Sequence, residues 1–387
     1  MLHRWLHPVR GAVVRPDVAA EVVTPAYDAL DEAARAARRE HSPWTFLHAL
    51  PTTARAGGVG DDELDRCAEA VTRLHAGAFA DRDTPFVAVY RLQEHGRVQT
   101  GLVADLDTEA LGDVVRGHEL TLREREDDLL AYLDRVGVQS SPVCLAAPDA
   151  PGLARALAAA TADEPEVTIA DPGFVQQLWV VDDPDQVRAL LGATAGVDRA
   201  VITDGHHRAA AAARHPSGRV LVALFPASEL QVSGFHRVVG PPLPAPPEAL
   251  ADHLRAHGLD VDGAARDAEP APGVAVLRSA TGTWRVGLDP AGDGPDVRRL
   301  HDQVLGPVLG VDDPRHDPQL QHVPTSLAPA ALAEVVGGDG VAATAVSPTV
   351  EDLLEAARDG RTLPPKSTYV RPKARSGLLL VPRGRRA

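Results

Sequence analysis

Residues Val201-Ile202-Thr203-Asp204-Gly205-His206-His207-Arg208 run directly into an alanine tract, Ala209 to Ala213, closed by Arg214. Two apolar residues end a strand, Asp204-Gly205 makes a turn, and alanines of high helix propensity follow at once. The chain here must therefore pass from strand to helix through a very short loop. Such a junction aims unsatisfied backbone N–H groups and the positive end of a helix dipole at whatever sits above it. Phosphate is the natural guest: Gly205 lets the backbone come close, Arg208 offers a planar fork, and His206 and His207 exchange protons near neutral pH. The plainer alternative is a capped helix, with Asp204 accepting from the N–H of His206 or His207.

Charge narrows the partners. The 387 residues carry a formal net charge of −15, with 44% hydrophobic and 24% charged residues. That is a globular composition without the basic footprint that nucleic acid or an anionic membrane requires, so neither is an expected partner and any anion must be held locally. No run is long and apolar enough to span a bilayer. Met1 to Arg10 has Arg4, His7 and Pro8 where a signal peptide needs its apolar region, so the expected compartment is the cytoplasm. Cys67 and Cys144 lie far apart without metal-ligand spacing and read as buried thiols. Every basic residue is Arg except Lys366 and Lys373. Two lysines so close together, in a chain that uses Arg everywhere else, point to positions needing a compact ammonium; chance clustering is the alternative.

Along the chain, Glu21 to Thr24 reads as a strand, Pro25 to Asp28 as a turn, and Asp31 as the cap of a helix over Glu32 to Glu40. Asp61 to Ala80 has helical apolar spacing. Phe86 to Leu92 and Val98 to Leu106 form a hairpin across Glu94-His95-Gly96. Ser140 to Leu145, Gln177 to Val181 and Val220 to Phe225 are strands, while Leu153 to Thr161 and Asp185 to Leu191 are helices. Pro241 to Pro247 holds five prolines in seven residues, a stiff spacer that sets the expected domain boundary, 1–240 and 241–387. Beyond it come a helix over Glu248 to His257, a hairpin of Val274 to Leu277 with Thr283 to Leu288, a helix over Val297 to Leu309, then a strand and helix from Val341 to Ala357. Alternating elements interrupted by hairpins give an α+β fold, with mixed sheets and flanking helices.

Asp204-Gly205-His206-His207-Arg208 resembles the DGHHR motif of the bacterial family known as domain of unknown function 1015. Other segments resemble that family in matching order. Pro25-Ala26-Tyr27-Asp28 departs from its PPYD at Ala26. Residues 41–48 resemble its asparagine-proline-tyrosine strand, with Ser42 and Trp44 as departures. Gly117-His118-Glu119-Leu120-Thr121 has Gly117 in a proline position, Ser233 to Arg237 keeps His236 and Arg237, and Leu363 to Lys373 departs from PxKSTYFYPK only at Val370 and Arg371. A similar DGHHR loop occurs in free serine kinases of the ParB/sulfiredoxin superfamily, where it handles nucleotide phosphates. The resemblance thus implies a ParB/sulfiredoxin-like nucleotide-binding core.

These residues define the expected site. Asp204, Glu119, His206 and His207 are the candidates for chemistry. Gly205, His207, Arg208, His236, Arg237, Lys366, Ser367, Thr368 and Lys373 are the candidates for holding a nucleotide triphosphate or diphosphate with Mg2+, the lysine segment folding back onto the Asp204 loop. Walker A and GxGxxG loops are absent from the sequence. The expected activity is nucleotide-dependent phosphoryl transfer to a small, serine-like hydroxyl compound. Two alternatives stand beside it: a ParB-like nucleotide switch without small-molecule chemistry, and a metal-dependent phosphohydrolase built on His206 and His207. Metal identity and oligomeric state are left open.

Overall fold

In the computed structural model, which describes residues 5–26, 30–52, 58–325, 332 and 335–384, the chain forms two compact units. The first comprises Met1–Leu230 and Pro372–Ala387, the second Gln231–Arg371. The division expected at 240/241 therefore falls ten residues earlier, and the last segment returns to the first unit. The proline run lies inside the second unit, because long-range strand pairing, not local stiffness, decides where contacts are few.

The first unit is built on a nine-stranded mixed sheet. Its strands in chain order are β1 (Val87–Glu94), β2 (Arg97–Asp107), β3 (Val115–Arg116), β4 (Val143–Ala147), β5 (Val167–Asp171), β6 (Phe174–Val181), β7 (Ala200–Asp204) and β8 (Arg219–Pro226), with Leu6–His7 added against β2. The spatial order is β3-β7-β4-β8-β2-β1-β6-β5. Only the β7/β3 and β8/β4 pairs are parallel. β1 and β2 form the expected hairpin, with Glu94 opposite Arg97. His95 at φ 50° and Gly96 at φ 78° give the two-residue turn its left-handed conformation.

Val220 to Phe225 of β8 are all buried, as expected of a strand covered on both faces. One face is packed by α3 (Pro151–Ala160), α4 (Pro184–Ala193) and α5 (His206–Arg214); α1 (Asp61–Ala78) and α2 (Arg123–Val136) precede them in the chain. Leu153, Leu157, Leu190, Leu191, Ala209 and Ala212 join Leu102, Leu145, Ile202 and Val222 in one core cluster. The alanines of α5 bring its backbone close to the sheet, which fixes where β7 hands over to the helix.

Two expected strands are partly helical, although Val23 is extended and Thr24 makes an antiparallel bridge with Ser376. Residues 19–22 make one helical turn, Ala19–Val22, and Phe46–Ala49 is a short 3-10 helix. Asp31 caps the next helix, Glu32–His41, accepting from Ala34 N–H at 2.7 Å.

The second unit has a six-stranded antiparallel sheet. Its strands are β10 (Phe235–Val239), β11 (Val274–Ser279), β12 (Thr283–Gly287), β13 (Leu320–Pro324) and β14 (Val341–Thr344), with Val261–Gly263 at one edge beside β12. β9 (Gln231–Ser233) pairs separately with β15 (Tyr369–Arg371), so the two chain passages into this unit lie side by side. α6 (Asp296–Leu300) continues as a π-helical turn, His301–Leu305, where one unbroken helix was expected. Helix α7 (Val350–Arg358) opens with a Thr349/Asp352 capping box. In the first unit β16 (Leu379–Pro382) pairs with Ala12–Val14. There the buried Arg383 meets the buried Asp105 in a two-pronged ion pair at 2.5 and 3.0 Å. Among the described residues no helix is long and apolar enough to cross a membrane.

Candidate functional site

β7 is interior to its sheet, and its register against β4 shifts between Ile202 and Asp204. The irregularity skips Thr203 and leaves Asp204 opposite Cys144 as the last residue of the strand, where the chain leaves the sheet. Gly205 follows at φ 95°, ψ 29° and is the N-cap of α5, with no side-chain cap bond. The capped-helix alternative is thus not how the loop is built, because the Asp204 carboxylate is engaged elsewhere. One oxygen accepts from the Arg208 guanidinium, and the other meets Lys373 Nζ at 3.0 Å. Arg208 also donates to the Pro142 carbonyl at 2.6 Å. Burial alone would raise the Asp204 carboxyl; Arg208 and Lys373 outweigh it and hold its pKa below the ordinary carboxylate value.

The two histidines diverge. His207 Nε2 accepts the Leu122 backbone N–H at 3.1 Å, tying the 117–122 segment to the helix start. His206 turns instead to His118, their rings edge to face with centroids 4.7 Å apart. A Cβ on Gly117 would stand 3.1 Å from His206 Cδ2, so glycine there leaves room for the ring. His118 is 1% exposed, and burial pushes its pKa down to about 4 against a backbone hydrogen bond at Ile202. Burial, with His118 and Arg208 nearby, drives His206 well below its ordinary value, and its Nε2 is a buried atom with no hydrogen-bond partner. Burial thus favours the neutral form of both rings. A metal shared by His206 and His207 does not fit this divergence, and among the described residues no three His, Cys, Asp or Glu are grouped to hold a metal ion.

Glu119 is half-buried directly after His118. Thr121 Oγ1 donates to Glu126 Oε1 at 2.5 Å, and Glu126 and Asp127 pair with Arg214 at 3.2 and 2.6 Å. The acidic start of α2 is therefore spent on α5. Tyr27 and Asp28 lie outside the described residues.

The remaining expected residues belong to the second unit. Strand alternation sends His236 and Arg237 to opposite faces of its sheet, so they cannot clamp one phosphate. His236 Nδ1 meets Thr344 Oγ1 at 2.7 Å. Arg237 donates to the Phe235 carbonyl at 2.8 Å, to the Lys366 carbonyl at 3.2 Å and to Ser367 Oγ at 3.5 Å. Thr368 is half-buried beside them in sequence. The structure thus gathers Asp204, Gly205, His206, His207, Arg208 and Lys373 in the first unit, and Arg237, Lys366 and Ser367 in the second. His118, in the Gly117 to Thr121 segment already singled out from the sequence, and the Pro142 carbonyl, which no sequence signal marked, are the contributors that the motif itself does not contain.

A family model described as protein of unknown function (DUF1015) matches residues 6–289, and the chain belongs to that family. No curated protein matches the sequence. Among solved structures, a mutant free serine kinase in complex with ADP is similar at 13% identity and a TM-score of 0.43, over 74% of this chain and 94% of that one. C-terminally truncated SbnI from Staphylococcus aureus is similar at 11% identity and a TM-score of 0.44, over 72% and 87%. A conserved hypothetical protein from Pyrococcus furiosus gives 16% identity and a TM-score of 0.38, over 70% and 93%.

Proposed function

We propose that this member of the DUF1015 family is a nucleotide-dependent phosphotransferase whose nucleotide phosphates lie on the Asp204–Arg208 loop. The observation that supports this best is the Asp204 carboxylate held between Arg208 and Lys373 at the open start of α5. Two cations against one carboxylate leave one net positive charge, fixed in place beside uncapped backbone N–H groups. Phosphoryl transfer asks mainly for such preorganised charge and position. Asp204 acts here by positioning the two cations; with its pKa depressed, it is a poor proton acceptor. Glu119 is the better base for the acceptor hydroxyl, and neutral His206 offers its unpartnered Nε2 to a hydroxyl or a phosphate oxygen. Mg2+ arriving on the nucleotide would neutralise phosphate charge, held mainly by phosphate oxygens and water, consistent with the few protein ligands this ion takes. The serine-type acceptor rests on the resemblance of Asp204 to Arg208 to the free serine kinase motif.

Calorimetric titration of ADP and a non-hydrolysable ATP analogue, with a parallel turnover assay on serine and related hydroxyl compounds, tests the reading. Arg208→Ala and Lys373→Met should each weaken binding roughly ten- to a hundredfold, the worth of one charged hydrogen bond of about 1.5–3 kcal/mol. Glu119→Gln should bind normally and lose turnover. Unchanged affinity in both cation variants would remove nucleotide phosphate from this loop, and tight binding without turnover on any acceptor would favour the nucleotide switch.

A further inference from the structure

The second unit buries a cation without a counter-ion. Arg237 is 3% exposed, and among the described residues no carboxylate forms an ion pair with it. Its partners are the carbonyls of Phe235 and Lys366 and the Ser367 hydroxyl, all neutral. A buried charge without an opposite one is costly, and the cost shows as a guanidinium whose pKa burial pulls down to about 10.

What surrounds Arg237 has the same character. His322 lies directly opposite it on β13, and His301 comes from the π-helical turn, its pKa lowered by burial first and by Arg237 after it. His322 Nε2 and His301 Nδ1 are both buried atoms with no hydrogen-bond partner. Lys366 has an exposed side chain and a backbone at φ 54°, a left-handed conformation that a lysine rarely adopts and that recurs at ligand clamps. The nearby acids are already occupied: Asp302 pairs with Arg298 at 3.3 Å, and Asp313 with Arg315 and His316 at 2.9 Å each.

We propose that Arg237, Lys366, His301 and His322 form an oxyanion site within the second unit that takes the dianionic phosphate of a small phosphorylated compound or free phosphate. A purely structural clasp holding residues 364–367 would need only neutral donors. It would not account for a full charge buried without a carboxylate, nor for two imidazole nitrogens left without partners. Two positive charges match a dianion better than a carboxylate, and two imidazole nitrogens add donors to further phosphate oxygens. All four residues belong to the second unit, and the site stands or falls independently of the kinase reading.

The test is calorimetry on the full chain carrying Arg208→Ala, which weakens phosphate binding at the first unit's loop, with inorganic phosphate, O-phosphoserine and acetate as probes. Phosphate should bind, and acetate at least about tenfold more weakly. Tighter binding of O-phosphoserine than of inorganic phosphate would identify a phosphorylated metabolite as the ligand class, and the reverse would identify free phosphate. Lys366→Gly, which suits the left-handed backbone and so keeps the fold, should weaken phosphate binding roughly tenfold, and Arg237→Gln should abolish it. Absence of phosphate binding in the Arg208→Ala protein overturns the proposal. So does binding that is indifferent to Lys366→Gly, whether or not Arg237→Gln folds. Comparing nucleotide titrations of the natural and Arg208→Ala proteins reports separately on the first unit, so failure of one reading is not mistaken for failure of the other.

Discussion

Replacing Gly205 by alanine tests how the Asp204 loop is held. The backbone there sits at φ 95°, ψ 29°, where a side chain costs about 1–2 kcal/mol. A Cβ would also fall 2.8–2.9 Å from three atoms of the Arg208 guanidinium. The end of an arginine can swing away, but doing so breaks its bonds to the Asp204 carboxylate and the Pro142 carbonyl. Asp204 keeps Lys373, and both Asp204 and Arg208 are about a quarter exposed, so that loss stays at the lower end of charged hydrogen bonds, about 1–2 kcal/mol. Gly205→Ala should therefore destabilise the first unit by about 2–4 kcal/mol in the natural sequence.

With Arg208 already truncated to alanine there is no guanidinium to displace, and only the backbone cost of about 1–2 kcal/mol should remain. The four proteins form a double-mutant cycle with a coupling of about 1–2 kcal/mol. Urea denaturation followed by tryptophan fluorescence measures it. Trp5, Trp44 and Trp179 report on the first unit, and Trp284→Phe silences the second. An equal cost of Gly205→Ala in both backgrounds would mean that the guanidinium does not rest on Gly205, and the positioning role given to Asp204 would lose its basis.

Asp204→Asn should change the acid limb of the stability curve. Because the folded pKa of Asp204 lies below its unfolded value, its contribution is complete above about pH 4 and is lost as the pH falls through the folded value, so the natural protein and the Asp204→Asn variant should differ at neutral pH and converge in acid. Parallel curves across that range would contradict the shift. Arg383→Met leaves the Asp105 carboxylate buried without its partner and should cost about 3–5 kcal/mol, visible as a fall in Tm of at least about 6 °C. A loss below about 1 kcal/mol would show that this pair does not anchor the chain's end. Burial pushes the Cys67 thiol up to about 11 and the Cys144 thiol up to about 12, so neither should react with a thiol reagent at pH 8 until denaturant is added. Prompt labelling of the folded protein would refute their burial.

Local chemistry carried the readings that succeeded. His95-Gly96 can make only a tight left-handed turn between two alternating apolar runs, and the β1/β2 hairpin follows. The alanine tract after Gly205 had helix propensity and too little bulk to hold the helix away from the sheet. The failures came where a short apolar run is compatible with two structures. Ala19–Val22 buries Ala19 and Val22 as one helical turn, an arrangement that Glu21 to Thr24 cannot distinguish from a strand by periodicity. The two lysines mark the limit most sharply. Their scarcity singles out both positions, and Lys373 does reach Asp204. Lys366, seven positions earlier, belongs to the other unit, because β15 pairs with β9 while β16 pairs with Ala12–Val14. That separation is decided by strands about 140 and 370 residues apart in sequence meeting edge to edge, and such pairing leaves no trace in the eight residues that hold the lysines. The same motif can therefore donate one ammonium to the carboxylate of the first unit and present the other beside the uncompensated Arg237 of the second, with a single peptide, Arg371 to Pro372, dividing the two roles.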